Sequence, residues 1–388
     1  MSLYRQAAQA QWTVPFLLAK PESGILDWDC IDSQLECISA LRDCPQDPRW
    51  HAEGDVHIHT QMVCTALTSL EDWRTLPPVE RSIVLAAALF HDVGKPHCTQ
   101  TQDDGTITSK GHARHGAQMV RGLMYREDMT PLSVREAICA TVRHHGLPLL
   151  FMEKTSPQRA VIEASQTVSC QWLALVAKAD VLGRECVDKN ELLERIALFE
   201  DFCAENRCLT APRTFASDHS RLVYFQKEDA SPEYAAYDDC KFDVVLISGL
   251  PAAGKDHWIR ENLPGFELIS LDLLRTEMNI SPEDEQGPVV ARAKELAREH
   301  ARAARSFVWN ATNISRQMRS QLIRLVAGYK ARIRIVYLES PYQELLRRNT
   351  QRPTKVPSGV IERLIDKLEI PDPTEAHTVS WHLTALTG

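Results

Sequence analysis

A glycine-rich turn in the second half of the sequence constrains its fold most strongly. The run Gly249-Leu-Pro-Ala-Ala-Gly254-Lys255-Asp256 fits the pattern G-x-x-x-x-G-K, and an apolar, β-branched run over Phe242–Ser248 leads directly into it. A strand, such a turn and a following helix together present backbone N–H groups to phosphates. In that context Lys255 reaches the β- and γ-oxygens of a nucleoside triphosphate. The turn therefore predicts a nucleotide site at the edge of a sheet.

The remainder of this half supports a parallel sheet. Strand-like runs recur at Leu268–Leu271, Phe307–Trp309 and Ile333–Leu338, and helical stretches separate them. This alternation predicts βαβ units with helices covering the sheet. The first half has a different pattern, which is helical from Val56 to about Phe202 and predicts no strand.

Three helices of the first half have clear ends. The stretch Val79–Phe90 follows Pro-Pro and precedes Gly94, while Ser133–His145 and Gln171–Leu182 each end at a glycine. A chain of 388 residues suits two domains. The predicted chain is multidomain, with an all-α domain followed by an α/β domain that has a parallel sheet. The predicted boundaries are a helical extension over 1–50, the all-α domain over 51–205, a linker over 206–240 and the α/β domain over 241–388.

Composition narrows the classes of function. No apolar run approaches the roughly 18–20 residues of a membrane span, and the N-terminal run shows no signal-peptide pattern. The eleven cysteines include no C-x-x-C pair, which favours reduced thiols in a cytoplasmic protein. The net charge of −8 argues against binding nucleic acid through bulk electrostatics. Residues 291–355, however, carry fifteen Lys or Arg against four Asp or Glu, and could hold a polyanion.

Histidines and aspartates accumulate at helix ends in the first half. The pair His91-Asp92 closes an apolar helix, His144-His145 closes another, and Asp180 lies within an apolar helix where a carboxylate needs a partner. Imidazole and carboxylate together suit divalent metals such as Mn, Fe, Co, Ni or Zn. Two such ions can generate hydroxide and neutralise phosphoryl oxygens. A carboxylate such as Asp92 can bridge two metals, and Lys95 could meet a phosphate oxygen.

These elements resemble the HD superfamily of phosphohydrolases. The runs are HAEGDVHIHT, ALFHDVGKP, GHARHGA, VRHHGLP and AKAD, and they are similar to the HD modules of bacterial tRNA nucleotidyltransferases and to two-metal HD-GYP phosphodiesterases. The resemblance implies a pair of divalent transition metals held by His59, His91, Asp92, His112, His144, His145 and Asp180. His115 is an alternative to His112. Structural roles are expected for His51, His57 and His97.

The phosphate-binding turn departs from its usual pattern at Asp256, where Ser or Thr normally ligates magnesium. Asn310 stands where many related kinases have an aspartate at the end of the third strand. Relative to the usual pattern, the sequence gains a carboxylate at Asp256 and lacks one at Asn310. We therefore hypothesise that Asp256 contacts the metal or its waters.

Further residues favour phosphoryl transfer to a hydroxyl. Asp272 follows the second strand and can accept a proton from an attacking hydroxyl, while Arg275 can hold an acceptor phosphate. Arg348 and Arg352 lie four apart on a helix suited to a lid; a solvated helix face is the alternative. Together with the glycine-rich turn that precedes them in the sequence, these elements resemble the polynucleotide 5′-kinase branch of the P-loop kinases. The resemblance implies that Asp272 is the general base and that Arg275 binds the acceptor. It also implies that Arg348 and Arg352 contact the donor.

The two halves together resemble bacterial HD-domain/polynucleotide-kinase fusions that repair RNA ends. This implies a kinase that uses ATP or another NTP with Mg²⁺, and a metal-dependent hydrolase of 2′,3′-cyclic or 2′(3′)-phosphates. The expected partners are RNA or DNA ends with a 5′-OH or a 2′,3′-cyclic phosphate, together with a separate ligase and no membrane. Two alternatives remain: a nucleotide phosphohydrolase fused to a nucleoside or metabolite kinase, and a nucleotide-sensing regulator without activity.

Overall fold

The computed structural model describes residues 2–14, 25–128, 130–352 and 354–384. The internal contacts of the chain divide it into two compact units, Met1–Arg213 and Thr214–Gly388. Each unit is described here by itself. Across the described ranges, no helix has both the length and the apolar character needed to cross a membrane.

The first unit is built from helices. They are Leu3–Ala7 (α1), Trp28–Gln34 (α2), Glu36–Ser39 (α3), Val56–Ser69 (α4), Glu71–Arg74 (α5), Pro78–Phe90 (α6), Lys95–Cys98 (α7), His112–Glu127 (α8), Leu132–His144 (α9), Leu147–Leu150 (α10), Pro157–Ser165 (α11), Cys170–Leu182 (α12) and Lys189–Glu205 (α13). A 3₁₀ turn covers Phe151–Glu153. The three helices predicted from their end signals are confirmed to within a residue at each end.

Two of these helices form the centre of the unit because they are apolar on nearly every face. α6 begins with proline at its first position and is buried along most of its length, as is α12. α4 packs against both, and α9 packs against α6. Asp55 caps α4 by accepting a hydrogen bond from the Ile58 N–H, which fixes where that helix starts. These helices carry the histidines and aspartates of the candidate site.

The prediction of no strand in this half was wrong in one small respect. Gln100–Thr101 (β1) and Ile107–Thr108 (β2) pair antiparallel across a short turn that includes Gly105 at φ +81. Strands of two residues leave no alternating pattern in a sequence, so the signal is too short to detect.

The second unit alternates strands and helices. Its elements are Asp218–Gln226 (α14), Phe242–Ser248 (β3), Lys255–Asn262 (α15), Glu267–Ser270 (β4), Leu271–Met278 (α16), Gly287–Arg302 (α17), Phe307–Asn310 (β5), Arg316–Ala327 (α18), Ala331–Glu339 (β6), Tyr342–Gln351 (α19), Ser358–Ile365 (α20) and Thr378–Leu383 (β7). The five strands β3 to β7 form one parallel sheet in the order β4-β5-β3-β6-β7.

The central strand of the sheet is covered on both faces. Phe242, Val244 and Leu246 of β3 join one buried apolar cluster, which includes residues of α17 and α18. Val245 and Ile247 join a second cluster with residues of α15. Burial on both faces explains why this strand is a nearly continuous apolar run. The turn that follows β3 lies at the carboxyl edge of the sheet.

All four predicted strands are present, and the parallel sheet is confirmed. The fifth strand, β7, was not predicted; it pairs with β6 at the edge of the sheet, and its sequence TVSWHL contains no fully buried residue. The segment predicted as a linker, 206–240, contains α14, which Ser217 caps through the Ser220 N–H. This helix is nine residues long, too short for its period to stand out beside the prolines around it.

Candidate functional site

The first unit brings most of the predicted metal ligands into one buried cluster. His91 and Asp92 lie at the end of α6, where the helix gives way to a turn, and both are almost fully buried. His59 comes from α4 and Asp180 from the last turn of α12. Because these helices pack on one another, residues separated by more than a hundred positions meet at one place.

Two groups of potential ligands can be distinguished. In the first group, His59, His91 and Asp180 each offer an atom within 4.8 Å of the others. The Nε2 atom of His59 lies 3.1 Å from Asp180 Oδ1, and that of His91 lies 3.1 Å from Asp92 Oδ2. Within the described residues, neither Nε2 atom makes a hydrogen bond although both are buried. Buried lone pairs directed at carboxylates without a proton between them are what a metal site requires.

The second group consists of Asp92, His112 and His145, again within 4.8 Å of one another. His112 Nε2 lies 3.3 Å from Asp92 Oδ1 and 3.3 Å from His145 Nε2. The two oxygens of Asp92 thus face different groups, with Oδ2 towards His91 and Oδ1 towards His112. Asp92 could therefore contribute one oxygen to each group if both hold a metal ion.

The opposite nitrogen of each imidazole is held by the protein. Nδ1 of His91 donates to the Ala88 carbonyl at 2.7 Å. His112 donates in the same way to the Ser109 carbonyl and His145 to the Val142 carbonyl, each at 2.8 Å. These bonds place the proton on Nδ1 and leave the Nε2 lone pair facing the cluster, as in metal-binding histidines.

The protonation states of most of these groups fit metal binding. Burial disfavours the charge of Asp92, but His91 and Lys95 outweigh it and hold the pKa of the carboxyl well below its usual range. Asp180 behaves alike: burial opposes its charge, but Arg184 and His59 outweigh it and lower its pKa. Burial lowers the pKa of His145 to about 3, so this imidazole is neutral. Ionised carboxylates and neutral imidazoles are the ligand forms.

His59 differs in its proton affinity. Burial acts to lower its pKa, but the carboxylates of Asp180 and Glu53, which face its two ring nitrogens, outweigh this and raise it. A metal that binds His59 must therefore displace a proton, which makes the affinity depend on pH.

A cavity of about 440 Å³ opens beside the cluster. Asp92, Asp180 and two of the histidines line it, as do Lys95 and Arg184. Lys95 Nζ lies 2.7 Å from Asp92 Oδ2, and Arg184 binds both oxygens of Asp180 at 2.9 and 2.5 Å. Two cations beside the ligands can hold the oxygens of a phosphate group. The volume falls within the range of small-ligand pockets.

Some predicted residues lie apart from the cluster. His144 is the last residue of α9, only half buried, and it belongs to neither ligand group among the described residues; its neighbour His145 does. His115 packs its ring against His97, with ring centroids 5.0 Å apart, rather than replacing His112. His57 is buried against Asp32 at 2.9 Å, in line with the structural role expected for it.

The sequence interpretation missed Glu53, whose side chain is 1% exposed. Its Oε1 lies 2.7 Å from His59 Nδ1 and 2.8 Å from His51 Nδ1. A carboxylate behind a ligand histidine orients the ring and raises its basicity. It also missed Arg184, although its position four residues after Asp180 is a signal for a helical ion pair.

The second unit places the glycine-rich turn between β3 and α15. A side chain at Gly249 would bring its Cβ to 2.4 Å from the Leu338 carbonyl oxygen, and Gly254 has φ +90, so both positions require glycine. Lys255 Nζ donates to the carbonyls of Gly249 and Leu250 at 3.1 and 2.8 Å. Burial lowers the pKa of Lys255 to about 8.

Asp256 and Asn310 are in direct contact. Asn310 Nδ2 donates to Asp256 Oδ1 at 2.6 Å, so the end of β5 meets the start of α15. Asn310 Oδ1 is buried and makes no hydrogen bond within the described ranges. The Asp256 carboxylate therefore lies beside Asn310, where the P-loop kinase resemblance leads one to expect an aspartate.

Asp272 lies in the first turn of α16, which Ser270 caps. Its side chain is 75% exposed and pairs with Arg275 on the same helix, while Arg275 Nε donates to Gln286 at 2.7 Å. The charges of Asp256 and Asp272 raise the pKa of Lys255, and that of Arg352 lowers it, although burial is the dominant influence. Asp256, Asp272 and Arg352 are thus close enough to Lys255 for their charges to act on it.

The two predicted lid arginines differ in position. Arg348 Nε donates to Glu344 at 2.6 Å and Nη1 to Thr384 at 3.0 Å; a Cβ on Gly254 would lie 3.6 Å from that Nη1. Arg348 is thus next to the phosphate-binding turn. Arg352 is the residue that follows α19.

Comparison with known proteins agrees with this division. Residues 56–182 match the family described as HD domain, and residues 244–371 match the family described as AAA domain. The first half of the chain is therefore an HD phosphohydrolase domain, and the second is a P-loop kinase-like domain with a five-stranded parallel sheet.

Curated relatives match only parts of the chain. A multifunctional CCA protein from Psychromonas ingrahamii is 33% identical over 111 residues, which are 28% of this chain and 24% of that protein. An L-seryl-tRNA(Sec) kinase from Methanococcus maripaludis is 23% identical over 152 residues, 37% of this chain and 58% of that one. A solved sugar kinase from Janibacter is 19% identical, with a TM-score of 0.30 and coverage of 37% of this chain and 85% of that chain.

Proposed function

We propose that this chain is a bifunctional enzyme that repairs the ends of broken RNA. The kinase domain transfers the γ-phosphate of ATP or another NTP to a 5′-hydroxyl. The HD domain hydrolyses a 2′,3′-cyclic phosphate, or a 2′- or 3′-phosphate, at the opposite end. One observation carries the proposal: the chain contains both a buried cluster of histidines and aspartates that can bind metal and a glycine-rich turn whose Lys255 lies within the influence of Asp272.

In the kinase domain, each residue has a distinct task. The backbone of the turn and Lys255 hold the phosphates of the donor, while Asp256 with Asn310 lies where Mg²⁺ would bind. Asp272 is exposed and close enough to Lys255 to influence its pKa, so it is suited to take the proton of an incoming hydroxyl. Arg275 lies beside it and can hold a phosphate of the acceptor. Arg348 lies next to the turn, on the donor side.

In the HD domain, the two ligand groups would hold two divalent ions, with Asp92 between them. Such ions supply a hydroxide at neutral pH and neutralise the phosphoryl oxygens. Lys95 and Arg184 line the same cavity, beside the carboxylates of Asp92 and Asp180, and can bind the non-bridging oxygens of a phosphate group. The carbonyl-bound Nδ1 atoms keep the imidazoles in place throughout.

Two observations support a nucleic-acid substrate. The relative from Methanococcus is named as an L-seryl-tRNA(Sec) kinase, and that name includes an RNA. The segment 291–355 is also rich in arginine and lysine. We expect the partners to be 5′-OH and 2′,3′-cyclic phosphate ends, and a separate ligase to join the repaired ends.

A second candidate function is a nucleotide phosphohydrolase fused to a nucleoside or metabolite kinase. It is favoured by the pairing of the basic residues within the chain. Arg298 and Arg302 both pair with Glu295, and Arg319 forms a buried pair with Glu375. Cations that already have partners contribute less to a surface for a polyanion. The net charge of −8 points the same way.

One substrate tests both activities. An RNA oligonucleotide with a 5′-hydroxyl and a 2′,3′-cyclic phosphate is incubated with the full chain, NTP, Mg²⁺ and Mn²⁺. We expect both ends to change. Lys255→Ala should lose only the 5′-phosphorylation and Asp92→Ala only the 3′-end hydrolysis, each by at least about 100-fold.

The matched controls are exposed residues of the same units. Glu277→Gln, on the helix of Asp272, and Asp103→Asn, in the turn between β1 and β2, should leave both reactions unchanged. Phosphorylation of free nucleosides with none of the oligonucleotide would favour the second candidate. Failure of both ends to react with RNA and with DNA would overturn the proposal.

A further inference from the structure

The first unit also contains a group of potential metal ligands that consists of cysteines and includes none of these histidines. Cys170, Cys203 and Cys208 are each 0% exposed, and their sulfur atoms lie within 4.8 Å of one another. None of the three is in a disulfide. Buried cysteines often pack singly as small apolar residues, but three sulfurs at one point are a different arrangement.

The backbone brings these residues together from two places in the chain. Cys203 lies in the last turn of α13, and the chain then reverses through Arg207 at φ +54, so that the Cys208 N–H donates to the Cys203 carbonyl at 2.8 Å. The next residue, Leu209, accepts from the Gln171 N–H at 2.9 Å. This bond ties Cys208 to Cys170, the first residue of α12.

The surroundings stabilise negative charge on sulfur. Cys170 begins a helix of thirteen residues, whose N-terminus carries a partial positive charge. The buried guanidinium of Arg213 adds a positive charge that acts on Cys208.

A fourth polar atom belongs to the same region. The hydroxyl of Tyr4 is buried and has no hydrogen-bond partner among the described residues. Burial raises the pKa of Tyr4, and Cys170 and Cys208 are close enough for their charges to add to this effect. A buried hydroxyl without a partner requires an explanation.

We propose that Cys170, Cys203 and Cys208 bind one thiophilic metal ion, Zn²⁺ or Cu⁺, as a structural site in the first unit. Three sulfurs around a zinc ion lie about 3.8 Å apart, given a Zn–S distance of about 2.3 Å, so only a small contraction of the present spacing is needed. Soft thiolates select these ions over those preferred by imidazole and carboxylate. Tyr4 can supply a fourth ligand to Zn²⁺, and three thiolates alone suffice for Cu⁺.

The ligands come from parts of the chain that are far apart in sequence. A metal here would join the start of α12 to the end of α13, and Tyr4 would add α1. Arg213 and the N-terminus of α12 would offset the negative charge of three thiolates with one divalent ion. The expected consequence is stability of the first unit, not catalysis.

Cobalt distinguishes this site from the histidine cluster. The full chain is purified with reductant, stripped of metal and loaded with Co²⁺. We expect the near-ultraviolet absorption that arises from sulfur-to-cobalt charge transfer, which ligands of nitrogen and oxygen do not give. The absorption should persist in the double variant His91→Ala/Asp92→Ala, disappear in Cys203→Ser, and persist in Cys64→Ser, a control that removes a buried thiol outside the cluster.

A second variant covers the case in which Cys203→Ser does not fold. Cys208→His keeps a metal ligand at that position, so the protein should still bind Co²⁺ with about one-third less charge-transfer absorption. Metal analysis of the double variant His91→Ala/Asp92→Ala should find about one equivalent of zinc or copper per chain. Removing that metal with a chelator should lower the Tm of the chain.

Two results would overturn the proposal. One is the lack of any sulfur-to-cobalt absorption and of bound zinc or copper in folded protein with three free thiols. The other is a disulfide between two of the cysteines in protein purified under reducing conditions, detected by mass spectrometry after alkylation.

Discussion

The two candidate sites differ in how far the folded chain has already arranged them. In the HD domain the candidate ligand histidines are buried except for the half-buried His112, and backbone carbonyls hold the far nitrogen of three of them. In the kinase domain, the side chains that we propose bind substrates form ion pairs within the protein: Asp272 pairs with Arg275, and Arg348 pairs with Glu344. If the proposed functions hold, packing has arranged the metal ligands in advance, whereas the kinase side chains exchange these internal partners for substrates.

The largest effect expected from this comparison is at the exposed carboxylate of the kinase domain. Asp272→Asn keeps the shape and the Arg275 contact but cannot accept a proton. We expect kcat for 5′-phosphorylation to fall by about 100- to 10,000-fold, with little change in KM for ATP. Initial rates with a 5′-OH oligonucleotide measure this, with Glu277→Gln as control. An unchanged kcat would show that Asp272 does not act as the general base.

Glu53 tests whether the order of the metal centre depends on residues behind the ligands. Glu53→Gln removes the charge that faces Nδ1 of His59 and His51. We expect phosphohydrolase activity and metal affinity to fall by about 10- to 100-fold, with the kinase unaffected. Rates measured over a range of Mn²⁺ concentrations separate affinity from turnover; Glu194→Gln is the exposed control. Equal activity at every Mn²⁺ concentration would contradict this positioning role.

The contact between Asp256 and Asn310 gives a smaller expected effect. Asp256→Ser should raise the Mg²⁺ concentration at half-maximal kinase activity by about tenfold, because the carboxylate is lost. Adding Asn310→Asp returns a carboxylate at the adjacent position and should reverse most of this change. Glu261→Gln, on the same helix, is the control. If Asp256→Ser leaves the Mg²⁺ dependence unchanged, the carboxylate has no part in holding the metal.

The smallest effect concerns pH and Lys255. Burial has lowered its pKa to about 8, so the lysine loses its positive charge as the pH rises through this value. A bound triphosphate stabilises the charged form, so binding should take up a proton near pH 8 and be about fourfold weaker at pH 8.5 than at pH 7. Titration calorimetry in two buffers measures both. Lys255→Arg, which stays charged, should abolish the proton uptake; uptake that persists would assign it to another group.

Local patterns predicted much of the fold. Helix ends at Pro78 and at the glycines after α9 and α12, and the apolar run of β3, follow from residues close in sequence. The elements that were missed are short or partly buried: β1, β2, β7 and α14. For these, pairing or packing with distant residues supplies the stability that local preference does not, so the sequence carries little sign of them.

The candidate site divides in a similar way. His91, Asp92 and the turn around Lys255 could be identified from motifs, because their neighbours in sequence are part of the chemistry. The choice of His145 over His144 could not, since two adjacent residues at a helix end differ only in which side faces the core. Glu53 was missed because nothing near it in sequence marks it as the partner of His59.

By itself, the sequence determined the order of the two domains and the type of each, and it pointed to most of the residues that we propose bind phosphate or metal. These properties follow from short-range spacing, which sets helix faces, strand runs and tight turns. Only the tertiary structure decided which oxygen of Asp92 faces which histidine, and that Cys170 meets Cys203 and Cys208. Such contacts depend on how helices from distant parts of the chain pack, and no spacing along the sequence encodes that distance.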